Sequence, residues 1–128
     1  MTVDQLEELK ARLTAASEPD DLRPAWELSE LKRLGYGAGW NNLDCAVFEQ
    51  MWDAGGHLSA VIALTEAVLP EGWRRSASMR TANGWRHFIS DGVEATAAHM
   101  VTGWHKSEPI ALLLATIDAL IERAKNDD

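Results

Sequence analysis

Hydrophobic residues recur at helical spacing over most of the chain, and the pattern changes to a two-residue alternation in its middle. Leu6, Leu9 and Leu13 mark a first helix. Thr2 and Gln5 are spaced as a capping box at the start of that helix. The last helix follows Ser107 and Pro109 and has the most regular apolar stripe: Ile110, Leu113, Leu114, Ile117, Leu120 and Ile121. The pattern therefore predicts amphipathic helices at both ends of the chain.

Three further helices are predicted between these two, each bounded by residues that cap or break helices. Their predicted ranges are 24–34, 43–52 and 60–69. Pro24 suits a first helical turn, Gly35 a C-terminal cap and Ser59 an N-terminal cap. Residues 35–42 hold three glycines, but neither a preceding strand nor a Gly-Lys-Ser/Thr ending accompanies them, as a phosphate-binding loop would require. This stretch is interpreted as a flexible connector.

The alternating stretch predicts a small antiparallel sheet. Residues 73–80 form a first strand and residues 85–90 the returning strand. Asn83-Gly84 suits the tight turn between them because both residues tolerate positive φ. A third strand is predicted within residues 93–101. With helices before and after it, the pattern predicts an α+β fold: a two- to three-stranded sheet packed between helices as a helix-sheet-helix sandwich.

Length and charge limit the class of protein. The 128 residues, at 46% hydrophobic, are predicted to form one domain spanning 1–128, because no linker divides them. The net charge of -8 repels phosphate backbones, so nucleic acid is an unexpected partner. No apolar run approaches the ~18 residues of a membrane span, and the acidic N-terminus lacks the pattern of a signal peptide. Cys45 lacks a disulfide partner and is predicted to be a buried thiol. We expect a cytoplasmic protein that does not contact a membrane.

Basic side chains are concentrated in the predicted hairpin. Residues 73–106 carry five basic and two acidic side chains. On regularly alternating strands, Arg74, Arg80 and Arg86 share one face. Phe88 lies on the same face, and arginines beside an aromatic ring suit phosphate binding and base stacking. This face is the candidate anion-binding site. In the other interpretation, the guanidinium groups pair with the acidic helices of the same molecule.

Six tryptophans are many for a chain of this length. Trp26 and Trp40 flank Tyr36 within the segment 17–42. Exposed aromatic residues often anchor protein interfaces, so these three form the candidate partner-binding surface. The alternative for each is packing in the core.

Catalytic and metal-binding motifs were sought among the polar residues. The four histidines lie in different predicted elements: His57, His87, His99 and His105. None has the His-x-x-x-His spacing or a Cys at zinc-site spacing, and no Gly-x-Ser-x-Gly segment occurs. The sequence thus predicts a protein that is not an enzyme, with no catalytic residue, metal or cofactor.

Several segments occur in the order found in a known family. Leu43-Asp44 opens a helix, and Leu69-Pro70-Glu71-Gly72-Trp73 leads from a later helix into the hairpin. Ser107-Glu108-Pro109 opens the closing helix. In these pieces the chain resembles the phage ABA sandwich family of small phage and prophage proteins. The resemblance covers residues 43–125, and 17–42 is an inserted helix and Gly-rich loop. It implies a helix-sheet-helix sandwich of phage origin and supplies no activity.

The leading hypothesis is a non-catalytic phage or prophage protein that binds a protein partner. A concrete version is an inhibitor of a bacterial defence complex, similar to an anti-CRISPR protein, acting in the host cytoplasm. Its acidic side chains would occupy a nucleic-acid channel while the three aromatic residues anchor it. The alternatives are a nucleotide or nucleic-acid binding module using the arginine face, a small hydrolase in which carboxylates converge on His87, and a self-associating virion component.

Overall fold

The computed structural model describes residues 1–22, 26–91 and 100–126. The α-helices of these residues are α1 (Val3–Ala15), α2 (Trp26–Gly37), α3 (Asn42–Asp53), α4 (His57–Val68) and α5 (Glu108–Asn126). The strands are β1 (Trp73–Thr81), β2 (Gly84–Asp91) and β3 (Met100–His105). A short 3-10 helix, Pro19–Leu22, precedes α2. The predicted α+β class, with an antiparallel sheet packed against helices, is confirmed.

The sheet has the strand order β1-β2-β3, and both strand pairs are antiparallel. The predicted hairpin is confirmed, but its turn lies one residue earlier than predicted: Thr81 pairs with Gly84 across Ala82 and Asn83, and of the predicted turn residues Gly84 alone has a positive φ, of 149°. The third strand was predicted too early, since β3 begins at Met100, and residues 92–99 lie outside the described part of the chain. Gly103 sits inside β3, where its missing side chain admits the backbone of α5 at Ala111 and Ala115. From sequence alone, a glycine at such a position is interpreted as a residue that interrupts a strand.

Helix α5 is the middle layer of the molecule. Every residue from Ile110 to Ile117 is buried, so the first two turns of α5 are enclosed on all sides. One side of α5 contacts β2 and β3, and the other contacts α1 and α4. Helices α2 and α3 pack against α4. Within the described residues, α5 thus has packed elements on both of its sides.

Two polar contacts join the layers. The Thr116 hydroxyl donates to the Leu112 carbonyl at 2.8 Å and lies 2.9 Å from the Thr65 hydroxyl, which links α5 to α4. The His105 Nδ1 accepts the Ser107 N–H at 2.9 Å, so its Nε2 carries the proton and donates to the Ala16 carbonyl at 2.7 Å. This imidazole ties the end of α1 to the turn between β3 and α5.

Helix boundaries follow the capping chemistry with two corrections. The capping box of Thr2 and Gln5 is present at α1. Gly35 is not a C-terminal cap: α2 continues to Gly37, and the Trp40 ring takes the space that a Cβ at Gly35 would need. Ser59 does not cap α4, which begins two residues earlier after Gly56. The predicted Pro24 start of α2 lies outside the described residues. Half of the predicted glycine-rich connector is therefore helix, since residues 35–37 belong to α2 and Asn42 opens α3.

The thiol of Cys45 is buried, as predicted. Over the described part of the chain, no helix combines the length and the apolar character needed to cross a bilayer.

Candidate protein-binding surface

One face of the sheet is turned away from α5. Every second residue of β2 and β3 faces the helices, and the buried residues on that side include His87, Ile89 and Gly103. Their neighbours along the strands point to the other side, which we call the open face. By strand register, the open face comprises Arg74, Ala77, Met79, Thr81, Gly84, Arg86, Phe88, Ser90, Met100, Thr102 and Trp104.

Large apolar side chains on the open face are exposed. The exposed fractions are 53% for Met79, 57% for Met100 and 44% for Trp104. Met79 and Trp104 flank Arg86 in one row across the three strands. The next row places Phe88 between the short side chains of β1 and β3. Because directly opposed side chains on paired strands touch, these residues form one continuous patch.

The open face carries a charge of the opposite sign to that of the whole molecule. It holds two exposed arginines, Arg74 and Arg86. None of its described residues is acidic, whereas the chain carries a net charge of -8. The face is therefore both apolar and locally basic.

Only two of the three arginines predicted to share a face do so. A β-bulge between Arg75 and Ala77 adds Ser76 to β1 without a partner on β2, which reverses the alternation for the rest of the strand. Arg80 consequently pairs with Trp85 on the opposite side of the sheet, with its guanidinium 5.5 Å from the centre of that ring. The prediction for Arg80 is wrong because regular alternation was assumed across the bulge.

The three aromatic residues predicted to anchor a partner do not form one patch. Trp26 and Tyr36 lie ten residues apart on α2, which separates them by roughly 15 Å along the helix axis. Trp26 is stacked under the Arg12 guanidinium at 4.3 Å. Trp40 is half-buried, with its ring 5.6 Å from that of Phe48. Of the three, Tyr36 is the most exposed.

A second exposed apolar surface includes Tyr36. The Tyr36 hydroxyl donates to Asn42 Oδ1 at 2.7 Å. Interaction with the Cys45 thiol raises the pKa of Tyr36, so the phenol stays neutral. Leu43, 70% exposed, and Val47 follow one turn apart on α3. We call Tyr36, Leu43 and Val47 the α3 patch. The four-residue spacing of Leu43 and Val47 in the predicted helix 43–52 is typical of a buried apolar stripe, but both side chains are exposed.

Sequence reasoning missed the exposed residues of the open face. On regularly alternating strands Met79 falls on the face opposite Arg80, and Trp104 lies beyond residue 101, where the predicted third strand ends. The usable signal was the alternation of Met100, Thr102 and Trp104 with the buried Gly103 and His105.

No cluster of three or more His, Cys, Asp or Glu side chains is arranged to hold a metal ion in the described residues. Comparison with family models, with curated proteins and with solved structures finds no match to this chain. The resemblance to the phage ABA sandwich family accordingly stays a prediction.

Proposed function

We propose that this protein acts by binding a protein partner through the open face. The observation that carries the proposal is the set of three exposed large side chains, Met79, Met100 and Trp104, on one face of the sheet. A continuous exposed apolar patch on a small protein commonly marks an interaction site. The α3 patch is also exposed and apolar, but Tyr36, Leu43 and Val47 include no arginine.

The composition of the open face favours a protein over a nucleic acid. Trp, Met and Arg are the residues enriched at protein interfaces, and flexible Met side chains adapt to a partner's surface. The net charge of -8 opposes the approach of a phosphate backbone over longer distances. The partner surface that fits is apolar, with carboxylates placed to meet Arg86 and Arg74.

The finer hypothesis is that the partner belongs to a bacterial defence complex and that the protein is a phage-type inhibitor. It is supported by the family resemblance and by the placement of acidic side chains. Residues 1–72 carry thirteen of the twenty acidic residues, and the helices formed there lie beyond α5 from the sheet. A partner bound at the open face leaves that acidic surface available to repel or replace nucleic acid.

Site-specific photocrosslinking tests the location of the interface. A photoreactive aromatic amino acid replaces Trp104 in one variant and Leu43 in the other, and both are irradiated in bacterial cells. We expect a covalent adduct of one defined mass from position 104 and none from position 43. Adducts at position 43 alone would assign the interface to the α3 patch instead.

A second candidate is the binding of single-stranded nucleic acid to the same face. It is favoured by the row that joins Arg86 to Trp104, because aromatic and guanidinium groups stack on bases. Titration of a labelled single-stranded oligonucleotide at low salt tests it, with Arg86→Glu as the disrupting variant and Arg80→Glu as the matched control. Binding that is lost only in Arg86→Glu supports this candidate; binding unchanged in both variants rejects it.

A further inference from the structure

A separate small cavity lies at the bulge in β1. Its volume is about 220 Å³, and it is lined by Arg75, Ser76, Ala77, Ser78 and His87. These residues supply a guanidinium, two hydroxyls and an imidazole. No carboxylate occurs among the described residues that line it. The Ser76 hydroxyl donates to the Phe88 carbonyl at 3.3 Å, so the groups left to face a ligand are one guanidinium, the Ser78 hydroxyl and the imidazole, with the carboxylates of Glu66 and Glu108 beside them.

His87 is the unusual residue of this cavity. Its side chain is only 5% exposed, and its Nε2 has no hydrogen-bond partner among the described residues. Glu108 Oε2, in the first turn of α5, lies 3.4 Å from that nitrogen. Glu108 is thus the neighbour of Nε2 but forms no well-aligned hydrogen bond with it, and a buried polar atom that lacks one is costly. Ser78 faces His87 directly across the strand pair.

We propose that this cavity binds a small oxyanion, the carboxylate or phosphate group of a ligand. Arg75 supplies the charge, and Ser78 and His87 supply hydrogen bonds. The volume equals that of roughly seven water molecules, which is enough for such a group and a short attached chain. The three proposed ligand groups, on Arg75, Ser78 and His87, belong to the helix-facing side of the sheet, whereas Ala77 of the lining belongs to the open face.

The charges around His87 act on an anion in opposite directions: the Arg75 guanidinium attracts it and the Glu108 carboxylate, 3.4 Å from the imidazole, repels it. Burial lowers the pKa of His87, the Glu108 carboxylate raises it, and the Arg75 guanidinium lowers it further. A bound anion adds a second negative charge beside the imidazole and thereby favours its donor form. Arg75 lies 3.5 Å from Glu66, whose side chain is largely exposed. An exposed ion pair contributes at most about 1 kcal/mol, so a ligand anion can displace it.

Amide chemical-shift titration of the whole protein with inorganic phosphate, and separately with acetate, tests the proposal. We expect the largest saturable shifts at residues 75–78 and at His87, and the stronger of the two probes identifies the preferred oxyanion. Loss of a charged hydrogen bond costs about 1.5–3 kcal/mol, so Arg75→Gln should weaken binding tenfold or more. Ser78→Ala, which removes one hydroxyl, should weaken it several-fold.

Arg80→Gln is the matched control, since it removes the same charge from the same strand outside the cavity lining. It should change the affinity less than twofold. Equal loss in Arg75→Gln and Arg80→Gln would show general charge attraction and overturn the proposal. Absence of saturable shifts at the cavity with both probes would overturn it as well.

Discussion

At the scale of single residues, glycines decide how closely the layers approach, and a sequence does not reveal which glycines do so. A Cβ at Gly103 would collide with the backbone of α5 at Ala111 and Ala115, which cannot move aside as a side chain would. A Cβ at Gly37 would meet no other atom within 4 Å. Both read as helix or strand breakers, and only the packing distinguishes them.

We predict that Gly103→Ala destabilises the protein by about 1–3 kcal/mol or more, because an added methyl group overpacks the contact between β3 and α5. Gly37→Ala is the control and should raise stability slightly, since alanine is the better helix former. Urea denaturation of both variants measures the two effects. An unchanged free energy of unfolding in Gly103→Ala would show that the sheet and α5 are less closely packed than described.

His87 provides a pH-dependent prediction. Because burial lowers its folded-state pKa below the ordinary 6.5, the unfolded chain takes up a proton that the folded chain refuses as the pH falls through 6.5. Stability should therefore fall with decreasing pH, with a slope of at most about 1.4 kcal/mol per pH unit from this group. The free energy of unfolding keeps decreasing until the pH reaches the lowered pKa of His87 in the folded protein.

The check is denaturation of the wild type and of His87→Gln over a series of pH values. Carboxylates contribute to both proteins, so the difference isolates the imidazole. Glu108 and Arg75 are the charged neighbours that set the size of the effect. Identical pH dependence in the two proteins would contradict the assignment of a lowered pKa.

At the scale of elements, the sequence predicts helices well and the sheet less well. The apolar stripe of α5 and the capping box of α1 are local patterns, and both are observed. The bulge at Ser76 and the position of β3 depend on pairing between distant segments. The predicted and observed positions of the candidate site residues differ for the same reason. The bulge places Arg80 on the side opposite the open face, and it places Ser78 on the same side as Arg75 and His87.

The N-terminal cap of α1 gives a prediction at this scale. Thr2 Oγ1 accepts the Gln5 N–H at 3.2 Å, and Gln5 Oε1 accepts the Thr2 N–H at 2.9 Å. Thr2→Ala should cost about 1 kcal/mol, because it removes the side-chain acceptor for one N–H of the first turn. Thr14→Ala, on the exposed side of the same helix, should cost less. Thermal unfolding followed by circular dichroism compares the two, and an unchanged Thr2→Ala midpoint would mean that the cap does not stabilise α1.

At the scale of the whole molecule, three layers separate two surfaces of different chemistry. The sheet presents an apolar and locally basic face, and the helices beyond α5 carry most of the acidic residues. Neither composition nor periodicity predicts this separation, because it depends on the bulge and on which side of the sheet α5 covers. The central claim is that the open face binds a protein.

A tagged pull-down from nuclease-treated bacterial lysate, quantified by mass spectrometry, tests that claim most directly. It compares the wild type with Met79→Ser/Trp104→Ser on the open face and with Leu43→Ser on the α3 patch, after circular dichroism has shown that all three are folded. The account predicts a stoichiometric protein partner that is retained by wild type and Leu43→Ser and is reduced at least tenfold by the double variant. Equal recovery by all three proteins, or loss in Leu43→Ser alone, would contradict it.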